Sequence, residues 1–511
     1  MAVSADETEI KYDLPDGASL PPLGDLPGVT GTSRPGGEQL DAEYYDTAGL
    51  RLLQAGVTLR RREGGHDAGW HLKLPAGPGT RREIRLPAGQ AGGPVPAELA
   101  GLVPAYTRGE PLRPVARLAT ARGRLILHGP RGESLAEVAD DDVSAQTMGA
   151  STTVSRWREA EVELTGGSRK LLAAVERELR RAGLHPAGHA SKLARALGWQ
   201  RPDPRPAGRR LGPSSPAGDV VLAYLREQAA TLASLDPLVR RDEPDAVHQM
   251  RVTTRRLRGT LRSYRDVISR DATRELAATL QWLGHLLGGP RDGEVLAARF
   301  EAESRHIPAE LLIGPVQARV HEHFAPARAA AHRELVTALG SVRYFGLLDG
   351  LDQLLDTPPL EPRASRPAAD VLPAAVRRTY RQTARRMERA HRAPPGQARD
   401  TGLHQARKAA RRSRYAAEAA APAAGGQARG FARQMKKMQS VLGEHQDAVI
   451  ARQVARDLAA AAHLAGENAF SYGLLHEREA EHGRQRQEQA GRAWRKASRR
   501  RYRRWLRPSA R

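Results

Sequence analysis

No cysteine occurs anywhere in the 511 residues. That absence excludes disulfides, thiolate metal sites and cysteine nucleophiles. Aromatic residues are scarce at 4%, so the cores must be built mainly from Leu, Val and Ala, which suits helices packed closely through small side chains. No stretch approaches the roughly 20 apolar residues that a membrane-spanning helix needs. The opening MAVSADETEI is acidic and lacks the apolar segment of a signal peptide, so a cytoplasmic protein is expected. Acidic residues are also in short supply: 58 Asp and Glu face 81 Lys and Arg, a formal net charge of +23. An excess of that size predicts an anionic partner, whether nucleic acid, an acidic membrane surface or a phosphate-rich molecule.

The length suggests two or more domains, and the periodicity changes partway along. Residues 1–200 hold short alternating segments broken by Gly and Pro, among them VTLRRRE (57–63), WHLKLP (70–75), TRREIRLP (80–87), GRLILHG (123–129) and WREAEVEL (157–164). They predict antiparallel strands, with helices at 169–183 and 191–198. Residues 201–217, RPDPRPAGRRLGPSSPA, read as a linker. Residues 218–507 are dense in Ala, Leu and Arg and predict an all-α domain.

That helical part repeats itself. VHQMRVTTRRLRGTLRSY (247–264) aligns with LHQARKAARRSRYAAEAA (403–420), and LLGGPRDGEV (286–295) aligns with VLGEHQDAVI (441–450) at nearly the same offset. Two related helical bundles in tandem are expected, about 218–365 and 366–507. In the first, His248, Arg251, Arg255 and Arg258 fall on one helix face; in the second, His404, Arg407, Arg411 and Arg414 do the same, flanked by Lys408 and Arg412. One such stripe would be an ordinary solvated face. Two, each led by a histidine, form a like-charged surface that an anion would stabilise, and arginine grips phosphate at any working pH. The stripes lack the Asn/Gln pattern of duplex readout and the aromatic platforms of single-strand binding, so no specific nucleic acid is expected. Gly288–Gly289 and Gly443 are expected to end helices, with Asp292 and Asp447 in the following turns. The C-terminal RAWRKASRRRYRRWLRPSAR (492–511) admits either a last helix or a disordered basic tail.

In the strand-rich part Glu7, Glu9 and Lys11 alternate on one face of a strand, as do Glu159, Glu161 and Glu163. Basic residues alternate on the strands between them: Arg60 and Arg62, Lys73, Arg85, Arg122 and Arg124. Several strands with one charged and one apolar face suggest a closed sheet with a polar lumen carrying the two signs in separate patches. Carboxylates there suit Mg²⁺ or Mn²⁺, and the basic side chains suit phosphate oxygens, a combination fitted to metal-assisted phosphoryl chemistry.

ETEIK (7–11), YYDT (44–47), LRRR (59–62), HLKLP (71–75), RREIRLP (81–87), EVADDDVSA (137–145), WREAEVEL (157–164) and SKLARAL (191–197) form an ordered series that resembles the CYTH family, the triphosphate tunnel metalloenzymes. The helical repeat with His248 and His404 resembles a CHAD domain. The resemblance implies an eight-stranded antiparallel tunnel, here α+β with its helices, followed by the all-α domain. It implies metal-dependent hydrolysis of inorganic triphosphate or of thiamine or nucleoside triphosphates, with a non-catalytic polyphosphate-binding or granule-associated protein and an adenylate cyclase as alternatives. It implies that Glu7, Glu9, Glu161, Glu163 and Asp140 or Asp142 hold the metal. Lys11, Arg60, Arg62, Lys73, Arg85, Arg122 and Arg124 would hold phosphates, and Lys11 would also orient the attacking water, with Glu7 and Glu9 beside it in catalysis. Arg117 is left open between a phosphate ligand and a rim residue. In the helical domain it implies inorganic polyphosphate bound by His248, Arg251, Arg255, Arg258, His404, Arg407, Lys408, Arg411 and Arg414.

Overall fold

The computed structural model describes residues 3–507 apart from 78, 90–92, 150–151 and 201–209. The chain divides into two compact units between residues 207 and 208. The expected linker lies outside the described residues at 201–209, and a helix already begins at Ala217.

The first unit contains ten strands: β1 (Val3–Asp13), β2 (Gly31–Ser33), β3 (Glu38–Asp46), β4 (Thr58–Glu63), β5 (Gly69–Gly77), β6 (Thr80–Leu86), β7 (Arg113–His128), β8 (Ser134–Thr147), β9 (Val154–Leu164) and β10 (His185–Pro186). Eight of them close an antiparallel ring in the order β1-β6-β5-β4-β3-β7-β8-β9, with β9 returning to β1; β2 and β10 are appended to β7 and β1. This is the closed sheet expected from the alternation, with the eight strands that the CYTH resemblance implies. Its period of two is used inside out relative to a soluble sandwich. Tyr12, Leu125, Leu127, Val138 and Val162 face outward and pack beneath helix Arg169–Arg181 through Leu171, Leu172, Val175 and Leu179. Each such buried aliphatic side chain contributes about 1.5–3 kcal/mol. The charged residues between them are thereby forced inward. At the β4–β5 turn Gly64 has φ +77°, and a Cβ there would lie 2.0 Å from the Gln39 carbonyl oxygen, so only glycine lets the turn close against β3.

The second unit is helical. Its first repeat runs through Ala217–Arg240, Ala246–Ser263, Arg274–Leu286, Gly288–Ser304, Val316–Leu339 and Val342–Asp356, and its second through Ala368–Arg392, Gln397–Ala419, Ala421–Leu464 and Phe470–Ala497. The starts of the two repeats are tied reciprocally: Ala217 N–H donates to the Arg366 carbonyl (2.9 Å), and Ala368 N–H to that of Ser215 (2.8 Å). Gly443 does not end a helix, and Asp447 is not in a turn; both lie within Ala421–Leu464. The first repeat breaks its helix at Leu287–Gly288, where the sequence GGP weakens the helix with two glycines and a proline. The second repeat has one glycine and no proline there, so the helix continues. Gly443 instead makes room for Arg407, whose Nη2 would lie 3.2 Å from an added Cβ. The C-terminal segment packs as structure through Leu506: Trp494 stacks on Tyr380 at 5.7 Å and Trp505 meets Phe431 edge-on at 6.2 Å. No helix among the described residues is long and apolar enough to cross a membrane.

Candidate functional site

Inside the barrel, Glu7, Glu9, Lys11, Arg60, Arg62, Lys73, Arg85, Arg122, Glu161 and Glu163 all line one narrow lumen. The register brings β1 and β9 together so that Glu9 lies directly opposite Glu163 and Lys11 opposite Glu161. Like charges directly opposite each other destabilise a ladder. Glu9 has Lys11 Nζ at 3.4 Å, which with Lys73 holds it below the usual carboxylate range although burial alone would raise it. Glu163 makes no ion pair among the described residues; burial pushes it up against the pull of nearby Lys73, reinforced by Glu9 and Glu83. Burial also pushes Glu7 up to about 7, against the pull of Lys73.

The two signs are interleaved and not in separate patches. Lys73 Nζ sits 2.5 Å from Glu7 and 3.7 Å from Glu83, and Arg85 reaches Glu7 at 3.3 Å and also pairs with Glu83. Glu161 receives Lys11, Lys192 (2.7 Å) and Arg122 (3.1 Å), and these cations hold it well below the usual range against a large burial penalty. Arg62 pairs with Asp67, yet burial together with Arg60 and Arg122 lowers it to about 9. Arg60 donates to the Tyr44 hydroxyl at 3.2 Å, and its own Nε and that of Arg62 are buried without hydrogen-bond partners among the described residues. The lumen thus has unspent donor capacity on β4 and, at Glu163 on β9, a carboxylate without an ion pair among the described residues. Its free volume of ≈ 60 Å³ holds a few waters, so a larger anion must displace these internal pairs to bind.

The structure corrects one assigned ligand. Asp140 does not face the lumen; it shares the outward face of β8 with Ala136 and Val138 and pairs with Arg158 at 3.0 Å. Asp142 faces outward too, against Arg156. The inward residue is Asp141, fully buried, bound to Arg122 at 2.7 Å and to Lys192 at 2.9 Å. Arg117 is an exposed residue paired with Asp41. Arg124 shares the inward face of β7 with Arg122 and is held there by Glu38 (3.0 Å) and Glu137 (2.7 Å).

Several lumen residues escaped the sequence reading. Lys192, at the start of the short helix Lys192–Ala196, inserts its ammonium among Asp141, Glu159 and Glu161 at 2.7–2.9 Å, and these carboxylates raise its pKa despite burial. Glu83 gathers Lys73, Arg85 and the Nδ1 of buried His71 at 2.9 Å. Glu83 sits among arginines in TRREIRLP, which hides it in a strand that looks basic; its place on the same face as Arg85 was the available signal.

In the second unit a cleft of ≈ 640 Å³ opens between the helices Ala246–Ser263, Arg274–Leu286 and Gln397–Ala419. Arg251, Arg255, Arg258, Lys408 and Arg411 line it, together with Arg262 and Arg412. Arg255 is lowered to about 9 by burial and by Arg411 and Arg251, and Arg412 to about 10 by burial and by Arg262. His248, His404, Arg407 and Arg414 are outside the lining. Arg414 is tied to Glu418 at 2.6 Å, and Arg407 crosses Gly443 with its Nε buried and without a hydrogen-bond partner. Elsewhere in this unit Glu303, Glu479 and His482 approach one another closely enough to share an ion, but Arg299 clamps Glu479 with two 2.6 Å contacts and Arg478 holds Glu303 at 3.0 Å. Those arginines already neutralise the cluster.

Comparison with known proteins agrees with this division. The CYTH domain model matches residues 5–196 and the CHAD domain model residues 223–456. An uncharacterized protein of Mycobacterium tuberculosis (strain H37Rv) is 39% identical over 503 residues, covering 96% of either chain. Among solved structures, PptA from Streptomyces chartreusis is 23% identical, covers 55% of this chain and 100% of its own, and has a TM-score of 0.47. The CHAD domain from the plant Ricinus communis is 23% identical, covers 60% of this chain and 97% of its own, and has a TM-score of 0.44.

Proposed function

The chain belongs to the proteins that join a CYTH domain to a CHAD domain, and from that premise we propose that its tunnel is a divalent-metal-dependent triphosphatase and that its helical unit binds inorganic polyphosphate. The observation that supports the enzymatic half most is the facing pair Glu9–Glu163, partly buried, with no ion pair to Glu163 among the described residues. Hard oxygen donors in that arrangement fit Mg²⁺ or Mn²⁺, held by Glu7, Glu9, Glu161 and Glu163. A cation bound there supplies positive charge to the phosphate oxygens.

The protein's own side chains would do the rest. Arg60 and Arg62, with their unpartnered Nε groups, bind phosphate oxygens from one wall of the lumen, and Lys73, Arg85 and Arg122 bind them after exchanging their internal carboxylate partners. Lys11 Nζ, which pairs with Glu9 and Glu161, would orient the attacking water. Burial of the whole set strengthens each of these interactions relative to water. Tyr44 supplies the one aromatic ring of the lining among the described residues, and it is engaged by Arg60. That gives a base or a thiazole ring little to stack on and favours inorganic triphosphate over organic triphosphates.

Phosphate release from tripolyphosphate with Mg²⁺ or Mn²⁺ tests this reading. The wild type should release phosphate, and Glu9→Gln/Glu163→Gln should not. Equal release by both would reject the assignment. No release by the wild type, with retained polyphosphate binding, would leave a non-catalytic phosphate receptor. Cyclic AMP formed from ATP would indicate a cyclase.

A further inference from the structure

We propose that the basic cleft continues into a second compartment, and that the two together select linear phosphate chains longer than the first cleft alone can hold; this rests on the polyphosphate reading of the helical unit. A neighbouring cleft of ≈ 480 Å³ is lined by Arg258, Arg262, Arg265, Arg270 and Arg274, and it shares Arg258, Arg262 and Gln281 with the first. Among the described residues neither lining contains an aspartate or glutamate.

The stripe that links them is longer than the repeat alignment alone suggests. Arg251, Arg255, Arg258 and Arg262 follow one another at spacings of four and three residues, which keeps them on one helix face. From Arg251 to Arg262 this face extends about 16 Å at 1.5 Å per residue. Arg265, Arg270 and Arg274 carry it past the helix end at Ser263. Arg274 is paired with Asp271, but both side chains are largely exposed. Exposed pairs of this kind contribute about 0–1 kcal/mol, so a phosphate exchanges for the carboxylate at little cost.

The second repeat does not extend in the same way. Arg258 aligns with Arg414, but Arg262 aligns with Glu418. Glu418 accepts from Arg414 at 2.6 Å and from Arg256 at 3.2 Å, so the positive stripe of that copy ends in a carboxylate. The groove therefore runs on in one direction only, along the first repeat. A triphosphate would occupy a fraction of it, whereas a polymer with a charge on every unit would engage both compartments.

The test uses the full chain with EDTA present, so that the metal-dependent tunnel contributes least. Labelled long-chain polyphosphate and a short oligophosphate are each titrated against wild type and Arg265→Gln/Arg270→Gln/Arg274→Gln. The triple variant should weaken long-chain binding at least tenfold and change short-chain binding less than twofold. Its log Kd against log salt slope for the long chain should fall by about three, one per lost phosphate contact. Equal effects on both lengths, or no effect on either, would overturn the proposal. So would single-stranded DNA of matched charge competing as well as long polyphosphate does, which would make the groove a nucleic-acid site. Arg255→Gln, inside the first cleft, should weaken both lengths. Wild-type protein that binds neither length would instead reject the polyphosphate reading itself.

Discussion

Replacing Lys192 by methionine removes a buried cation that touches three carboxylates. Its ammonium lies 2.9 Å from Asp141, 2.9 Å from Glu159 and 2.7 Å from Glu161, with the side chain only 7% exposed. Breaking a buried ion pair by deleting one partner costs about 3–5 kcal/mol. Here the loss should fall at the lower end, about 3 kcal/mol, because Asp141 keeps Arg122, Glu161 keeps Lys11 and Arg122, and Glu159 keeps the Trp157 indole N–H. For a unit of this size that corresponds to a fall in Tm of roughly 6–12 °C. Differential scanning calorimetry of the full chain should show the transition of the first unit lowered and that of the helical unit unmoved. The pH dependence gives the sign. In the wild type Asp141 and Glu161 are held below their usual range, against their burial, with Lys192 a leading cause. Their stabilisation is thus present above the unfolded pKa and lost as pH falls through the folded one. Without Lys192 those pKa values rise, so the deficit of Lys192→Met should be greatest near pH 8 and shrink towards pH 4. A deficit below about 1 kcal/mol, or one that is equal at both ends of that range, would refute the reasoning.

Glu7→Gln should match the wild type in stability near pH 5 and exceed it by up to about 3 kcal/mol at pH 8 in metal-free buffer. The raised Glu7, at about 7, keeps a proton that the unfolded chain gives up, so its contribution falls as pH rises from about 4.5 through 7; urea unfolding at the two pH values checks this. Arg255→Met should stabilise the helical unit by about 1–3 kcal/mol, by relieving burial and repulsion from Arg411 and Arg251, while weakening polyphosphate binding tenfold or more. Calorimetry and a binding titration should therefore move in opposite directions. Metal and triphosphate should each tighten the other's binding, because phosphate draws Lys73 and Arg85 away from Glu7 and a cation draws Glu7 away from them. Isothermal titration of Glu9→Gln with tripolyphosphate should lose that coupling.

The barrel was legible because alternation has a fixed physical consequence. Once Tyr12 and Ile10 pack outward under a helix, Glu7, Glu9 and Lys11 have only the lumen left. Three consecutive aspartates defeat the same logic, since alternation cannot say which of Asp140, Asp141 and Asp142 points inward. The pairing across β7–β8 and the fit of Asp141 to Arg122 and Lys192 decide it. Lys192 was hidden for another reason: it is brought to the lumen by a short helix about 30 residues after the strand it neutralises, and no local period encodes that return. In the helical unit the repeat located both arginine stripes, but likeness of sequence misled at Gly443. There the missing proline, and not the shared glycine, decides whether the helix continues. The charge difference between Arg262 and Glu418 lay in the same alignment and gains its meaning only from the two adjoining clefts.

The most direct test of the tunnel is a co-crystal with Mn²⁺ and a non-hydrolysable imidotriphosphate, read by the manganese anomalous signal. The account predicts manganese between Glu9 and Glu163, and a phosphate chain along Arg60, Arg62 and Lys73 with Glu7 released from its lysine. Manganese and triphosphate both bound outside the barrel, with the Lys73–Glu7 pair intact, would contradict it.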